Sequence, residues 1–540
     1  MMLALSALSP DLWFLVLFGL VPLFWAIKIL GANRIKWGIL GSLSVGFAHS
    51  AVVFYPLSTL NTWWWTVSSG FFWEYRGLVY FAVGLLFALF VSLFTFGFTF
   101  FIYSAWLRKN IYASIIILPI VWLFLEVIRV KIGFGLEWGI FGQPLGENLF
   151  FARSAVFGGI FTLSFLAVMI NFCVFLLLES FFDRKMRETF GQKLKKLMDG
   201  KIIASIAVML AIFVGLALNN NVVGGEFGET NRTKLNVAII SPSIKTSGAV
   251  SQDGINHIFD LIAEAVTEAP TGNPKFSNDP KSNIPSSLNL IIFPENTFPS
   301  LSIDEKTLQP LNYETRVSVK ENFDRLLKIS AEHPKTSFII GLHTSKDDMR
   351  FNSAVVFEEG KIVSIYNKQN LLPFTEKSFS FLEAIHIDPL TSGRGNQMLK
   401  TKYGNFSPLI CSEVLVSRNI PSFGSVLENP ATRTGTQADT RALINLSNDN
   451  IFDSKRVAAY NKIIVRLRAI QTGQALIRSA KGGFSGIFDK TGREIPMQTV
   501  KNGGNDKNDG KSGNGDGNDA NESRNEEVLF GVLSGSIDIP

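Results

Sequence analysis

The sequence predicts a membrane-embedded α-helical bundle over residues 1–222 followed by an α/β domain over residues 223–540. Two observations carry that prediction. Up to about residue 220 the chain is a series of apolar blocks, whereas from Gly225 onward charged and turn residues are spread as in a soluble domain. In the second half, short apolar runs alternate with amphipathic stretches, the pattern of an α/β layered fold. The 540 residues leave room for two or three domains, and 12% aromatic residues with a mean hydropathy above zero exceed what a wholly soluble chain carries.

Six spans are read at 12–30, 36–56, 79–104, 111–130, 155–180 and 201–219. At ~1.5 Å per residue each can cross a hydrocarbon core of ~30 Å. The loop after the first carries Lys28, Arg34 and Lys36, and the loop after the third carries Arg108 and Lys109. The loop after the fifth carries Arg184, Lys185, Arg187, Lys193, Lys195, Lys196 and Lys201. Basic residues beside spans stay in the cytoplasm, so most of the net charge of +6 reports orientation, and no nucleic-acid partner is implied. The intervening loops hold Trp63, Trp64, Trp65 and Trp138, which suit a membrane interface. The same alternation puts the chain after residue 220 on the outer side. It also puts the N-terminus outside with no positive charge nearby, and Met1 to Pro10 reads as the end of an earlier helix, a seventh span missing from this start. A signal peptide does not fit, because the first span has no basic n-region before it and no small-residue cleavage site after it. In the fourth span Trp122, Glu126 and Arg129 share a face, and the i, i+3 spacing lets the Glu126 carboxylate and the Arg129 guanidinium pair.

In the second half strands are expected at 235–240, 288–293, 337–342, 352–357, 361–366, 408–411, 442–446, 484–488 and 528–537, and helices near 253–268, 318–332 and 455–474. Glu359-Gly360 between two of the strands is a hairpin signal. Residues 270–287 and the Gly/Asn/Asp tract 501–527 cannot bury enough apolar surface to order themselves, and the tract's faint calcium-loop pattern lacks flanking helices and a closing Glu.

Three motifs end apolar runs and supply complementary groups: Phe293-Pro-Glu295, Tyr366-Asn-Lys368 and Ile410-Cys411-Ser412-Glu413. Strand ends on one edge of a sheet converge. A carboxylate can take the thiol proton, an ammonium can hold the oxyanion formed when the thiolate attacks a carbonyl, and the backbone N–H after the nucleophile is a second donor. Acyl transfer through a thioester needs these parts. The second cysteine, Cys173, lies in a membrane span, so a disulfide with Cys411 is not expected. His49, His257, His333, His343 and His386 show no metal-ligand spacing, and no metal or cofactor is expected. Gly483-Phe-Ser485-Gly486 falls short of a serine nucleophile elbow.

Glu, then Lys, then Cys, each after a hydrophobic strand, resembles the carbon-nitrogen hydrolase (nitrilase) superfamily, as does Leu372-Pro373-Phe374-Thr-Glu376 after the lysine. With the membrane half, the chain looks like the apolipoprotein N-acyltransferase family. Trp122, Glu126 and Arg129, Gly135-Leu-Glu-Trp138 where the family has Gly-Phe-Pro-Trp, Asn352-Ser353 and Ser447-Asn448-Asp449 carry the resemblance through nearly the whole chain. It implies an αββα sandwich with Cys411 as nucleophile, Glu295 as general base and Lys368 as oxyanion stabiliser, supported by Glu376, Glu413 and the Ser412 N–H. It further implies a monomeric, multi-pass protein of the bacterial inner membrane with its catalytic domain on the periplasmic side. The donor would be a phospholipid and the acceptor the α-amine of a diacylglyceryl-modified apolipoprotein. Departures are Asn450-Ile451-Phe452-Asp453 where the family has Ala-Trp-Phe-Gly, Asn461 in place of a usual His, and no membrane span after the final strand. Two rivals stay open: a membrane-tethered nitrilase-type amidase and a catalytically degenerate homologue that binds lipoproteins.

Overall fold

A computed structural model of the chain describes residues 1–30, 35–56, 76–105, 111–133, 135–182, 200–224, 233–241, 252–267, 288–299, 301–311, 319–372, 376–377, 390–395, 398–416, 440–452, 454–500 and 531–539. Arg34, Arg108, Lys109, Arg184, Lys185, Arg187, Lys193, Lys195, Lys196, the tryptophans at 63–65, His386, Asp453 and the 270–287 and 501–527 segments lie outside the described residues.

The first half is helical: α1 (Met2–Leu8), α2 (Val21–Leu30), α3 (Ile35–Phe54), α4 (Arg76–Val91), α5 (Phe98–Ala105), α6 (Ile111–Ile132), α7 (Ile160–Phe182) and α8 (Gly200–Gly224). Among the described residues five stretches are long and apolar enough to cross a membrane: Pro10–Leu30, Lys36–Phe54, Phe81–Tyr103, Ala113–Ile132 and Ile160–Glu179. The third joins α4 to α5 through a π-helical turn at Ser92–Gly97. The sixth expected span falls inside α8, whose described apolar stretch is Ile203–Leu216.

The α7 helix is the hub of the bundle, 72% of its apolar window being buried against no more than 44% for the other four. Its Asn171 shows why a polar residue sits there. The backbone breaks before α2, and Asn171 Oδ1 accepts from the Leu20 N–H at 2.8 Å while Nδ2 donates to the Val16 carbonyl at 2.7 Å. No water in a bilayer core would satisfy those groups. Phe24 packs among Phe100, Tyr103, Phe172 and Phe175 at centroid distances of 5.2–5.6 Å, joining α2, α5 and α7.

Glu126 and Arg129 do not close the expected ion pair. Glu126 Oε1 accepts from the Phe141 N–H at 2.8 Å, and Arg129 donates to the carbonyls of Trp138 and Gly139 at 3.2 and 3.3 Å. The unpaired backbone of 138–141, which leaves α6 and folds back at its end, claims both side chains.

The second half stacks two sheets. One has nine strands: β1 (Thr233–Ser241), β2 (Leu290–Ile292), β3 (Ser302–Asp304), β4 (Gln309–Pro310), β5 (Ser337–Lys346), β6 (Met349–Glu358), β7 (Lys361–Asn367), β14 (Gln498–Val500) and β15 (Gly531–Ile539). The other has six: β8 (Leu399–Thr401), β9 (Gly404–Ile410), β10 (Thr440–Asn448), β11 (Leu476–Lys481), β12 (Gly486–Phe488) and β13 (Glu494–Ile495), in the order β13-β12-β11-β10-β9-β8. β1, β2 and β5 run parallel, as do β9, β10 and β11. The Glu359-Gly360 signal is the β6–β7 turn, with φ of +51° and +76° at its two residues.

Alternation along β1 explains the layering. Leu235, Val237 and Ile239 face the second sheet, packing with Phe406, Ile444 and Ile477, while Ala238 and Ile240 face α9 (Gln252–Thr267) and α10 (Val319–Glu332). A strand covered on both faces reads as a continuous apolar run. The outer face of the second sheet is covered by α11 (Lys455–Thr472), whose Ile463, Val465 and Leu467 join one apolar cluster with Leu409, Leu443 and the helices of the first half. This completes an αββα sandwich, with α11 pressed between the second sheet and the apolar bundle.

Candidate active site

Glu295 follows β2 in a tight turn. The Phe293 and Thr297 N–H groups donate to the carbonyls of Ile339 and Gly341 at 2.8 Å, and Thr297 Oγ1 donates to the Pro294 carbonyl at 2.6 Å. The turn lies so close to β5 that a Cβ at Gly341 would stand 2.4 Å from the Pro294 oxygen and 2.6 Å from the Glu295 Cα. Lys368 follows β7, its N–H donating to the Asn352 carbonyl at 2.8 Å. Cys411 follows β9 and opens a short 3-10 turn, Cys411–Leu415, with φ of +51°. A side chain in that left-handed conformation is strained, and such strain is held where the surroundings over-determine it.

These three strand ends meet. Lys368 is 1% exposed, and its Nζ contacts Glu376 at 2.9 and 2.7 Å and Glu295 Oε1 at 3.9 Å. The Cys411 thiol lies in the electrostatic field of Glu295, Lys368 and Glu376. Asn352 Nδ2 donates to Glu295 Oε1 at 2.7 Å and to Glu376 Oε1 at 2.9 Å, and the Asn448 N–H reaches Glu295 Oε2 at 2.9 Å. Glu376 Oε2 also accepts from the Leu372 N–H at 2.7 Å.

Glu413 is fully buried and does structural work: it accepts from the Ile410, Gln369 and Asn370 N–H groups at 2.8, 2.8 and 3.1 Å, and from Tyr366 Oη at 3.0 and 2.9 Å. One carboxylate thereby ties the loop that carries Cys411 to the loop that carries Lys368. Ser412, 7% exposed, contributes the backbone N–H after the thiol.

The charges follow from burial. Desolvation pushes the Glu295 carboxyl up, with Lys368 opposing, so this group holds a proton more readily than a surface glutamate. Burial raises the Cys411 thiol and nearby Glu295 raises it further, against the pull of Lys368, so the resting sulfur is protonated and needs a base. Burial pulls Lys368 down, but the Glu376 and Glu295 carboxylates outweigh it and hold the ammonium charged. A protonated thiol, a carboxylate that can take its proton and a fixed cation are together equipped for nucleophilic attack on a carbonyl carbon.

All six site residues expected from the motifs are therefore in one place. Expected less well was the support: the Tyr366 hydroxyl on Glu413, the bidentate Arg478–Asp449 pair at 2.8 and 2.7 Å, and Lys481 beside the Glu295 turn. Asn461, in the position of the usual His, donates to Asp449 Oδ2 at 3.1 Å. Lys481 ends β11, but Arg478 and Ser479 interrupt the apolar run before it, so the same reasoning does not reach it.

Residues 1–173 match the model of the apolipoprotein N-acyltransferase N-terminal domain, and residues 254–498 match that of carbon-nitrogen hydrolase. The chain carries an apolipoprotein N-acyltransferase N-terminal domain followed by a carbon-nitrogen hydrolase domain. Relatives bearing that name include a protein of Haemophilus influenzae, 24% identical over 437 residues that cover 78% of this chain and 72% of the relative. Another, of Haemophilus ducreyi, is 23% identical over 509 residues, covering 91% and 85%. Among solved structures, Saccharomyces cerevisiae Nit3 of the nitrilase superfamily aligns at 14% identity and a TM-score of 0.34, over 56% of this chain and 90% of its own. The apolipoprotein N-acyltransferase domain covers four apolar spans and most of the fifth, and the carbon-nitrogen hydrolase domain contains Glu295, Lys368 and Cys411.

Proposed function

We propose that this chain transfers a fatty acyl group from a membrane phospholipid, through a Cys411 thioester, to the α-amine of the N-terminal diacylglyceryl-cysteine of apolipoproteins. The observation that carries the reading is the Cys411 thiol in the field of Glu295 and the Lys368 ammonium, in a sandwich whose outer helix α11 packs on apolar, membrane-length helices. Two lipid substrates would otherwise have to leave the bilayer to meet the thiol.

In the first half-reaction Glu295 takes the thiol proton and sulfur attacks the ester carbonyl of the phospholipid. Lys368 Nζ and the Ser412 N–H hold the oxyanion. Collapse breaks the ester C–O bond, protonated Glu295 returns its proton to the leaving oxygen, and a lysophospholipid departs. In the second, the uncharged α-amine attacks the thioester, Glu295 takes its proton, and the C–S bond breaks as the thiol is restored. Glu376 steadies Lys368 throughout, and Glu413 steadies the loop.

In this reading residues 1–222 form the membrane domain and 223–540 the catalytic domain, on the periplasmic side of the inner membrane, and the protein works as a monomer. Purified protein incubated with phospholipid vesicles gains the mass of one fatty acyl chain on the Cys411 peptide, and Cys411→Ala abolishes the gain. Wild-type protein that stays unmodified, beside a related enzyme that acylates, overturns the reading and leaves the lipoprotein-binding homologue. Growth of a strain depleted of its own N-acyltransferase separates the transferase from a membrane-tethered amidase, in which water would take the place of the amine.

A further inference from the structure

Glu295 comes from the first sheet and Cys411 from the second. Glu295 and Cys411 stay together only as well as the two sheets are held together at this edge. Lys481 bears on that. It ends β11 in the second sheet and is 1% exposed, yet its Nζ crosses to the first sheet and donates to the Asn296 carbonyl at 2.5 Å. Asn296 is the residue after Glu295 and has φ of +50°, a backbone state that a non-glycine residue keeps only where its neighbours impose it. The register partner of Lys481 on β10 is Asn448, whose N–H holds Glu295 Oε2. Just beyond, a Cβ at Gly482 would stand 1.6 Å from Asn450 Oδ1, so the end of β11 is seated hard against the 449–451 turn.

We propose that Lys481 is a positioning residue of the acyl-transfer site: its ammonium pins the Asn296 peptide to the second sheet and so holds the Glu295 carboxylate on the Cys411 thiol. The proposal rests on the assignment of Glu295 and Cys411 as base and nucleophile, and not on which lipids they serve. The charged and titratable groups in its field are Glu295, from the turn after β2, and His343, from β5. Burial lowers His343 to about 4, so it is uncharged at neutral pH. Burial also lowers Lys481 to about 8, with Glu295 opposing. An ammonium donor binds a carbonyl more tightly than a neutral amine, so the strut is firm below that pH and slackens above it.

The test is the rate at which iodoacetamide alkylates Cys411 as a function of pH, read on the Cys411 peptide by mass spectrometry in full-length detergent-purified protein. Lys481→Met is expected to slow alkylation roughly tenfold at pH 7 and to move the rate profile toward higher pH, because the base is no longer held on the thiol. Lys481→Arg, which keeps a charged donor, is expected to stay within about twofold of wild type. If the Met variant fails to fold, Lys481→Gln against Lys481→Arg gives the same comparison. A charge-free variant with the wild-type rate and profile overturns the proposal. Alkylation that depends on Lys481 in a protein that phospholipid never acylates keeps this inference and removes the lipid-transfer reading instead.

Discussion

Arg468 Nη2 lies 2.7 Å from Glu137 Oε2, with both side chains almost wholly buried, one on α11 of the sandwich and the other in the turn that leaves α6. The same guanidinium donates through Nε to the Val414 carbonyl at 2.8 Å, and the Glu137 N–H donates to the Leu415 carbonyl at 2.9 Å. The pair fastens the helical first half to the loop that carries Cys411. Trp138, edge-on to Phe452 and tilted against Tyr460 at centroid distances of 5.4 and 5.6 Å, extends the junction to the turn that holds Phe452.

Removing one partner of that pair leaves a buried charge uncompensated, which costs about 3–5 kcal/mol. Glu137→Ala is therefore expected to lower the thermal unfolding midpoint in detergent and to slow Cys411 acylation. The double variant Glu137→Leu, Arg468→Met is expected to recover most of the stability, since apolar groups of like volume avoid the desolvation penalty. A single variant as stable as wild type would mean that the junction is held elsewhere.

Glu413→Ala orphans the N–H groups of Ile410, Gln369 and Asn370, each at about 1–3 kcal/mol when buried. The expected outcome is a folded but loosened site, with Cys411 acylation down at least ~100-fold. Glu413→Gln keeps the oxygen acceptor and is expected to recover part of the rate. Equal losses in the two variants would point to the charge and not the hydrogen bonds.

The meeting of Glu295, Lys368 and Cys411 was legible because its signal is local. Glu295, Lys368 and Cys411 each end a strand, and an apolar run followed by one polar residue can be read without knowing the sheet order. Glu137 and Arg468 are 331 residues apart and belong to different halves, so no periodicity joins them. Glu126 and Arg129 do sit in each other's field, but spacing on one helix could not show that the backbone of 138–141 would fold back and hydrogen-bond both side chains.

The acid limb of the reaction should lie high for a carboxylate. Burial raises Glu295, so as pH falls through that raised value the base becomes protonated and cannot accept the thiol proton. The rate of Cys411 acylation is expected to fall with a midpoint above ~4.3, the ordinary glutamate value. Lys368 opposes the shift, so Lys368→Met should move the midpoint further up and lower the plateau by weakening oxyanion support. A midpoint at the ordinary value in wild type would contradict Glu295 as the base.

Gly341 sets how closely the Glu295 turn approaches β5. A Cβ there would meet the Pro294 oxygen at 2.4 Å and the Glu295 Cα at 2.6 Å, both backbone atoms that cannot swing aside as a side-chain tip would. Gly341→Ala must displace the turn, and a shift of ~1 Å in a reacting group costs roughly 100-fold in rate. The sheet pairings of β5 on either side are untouched, so the unfolding midpoint should drop modestly while the first-order rate of acyl-enzyme formation falls by about that factor. Donor binding, which the base does not contact, should hold. A Gly341→Ala enzyme that acylates at the wild-type rate would show that the carboxylate position is not set by this contact.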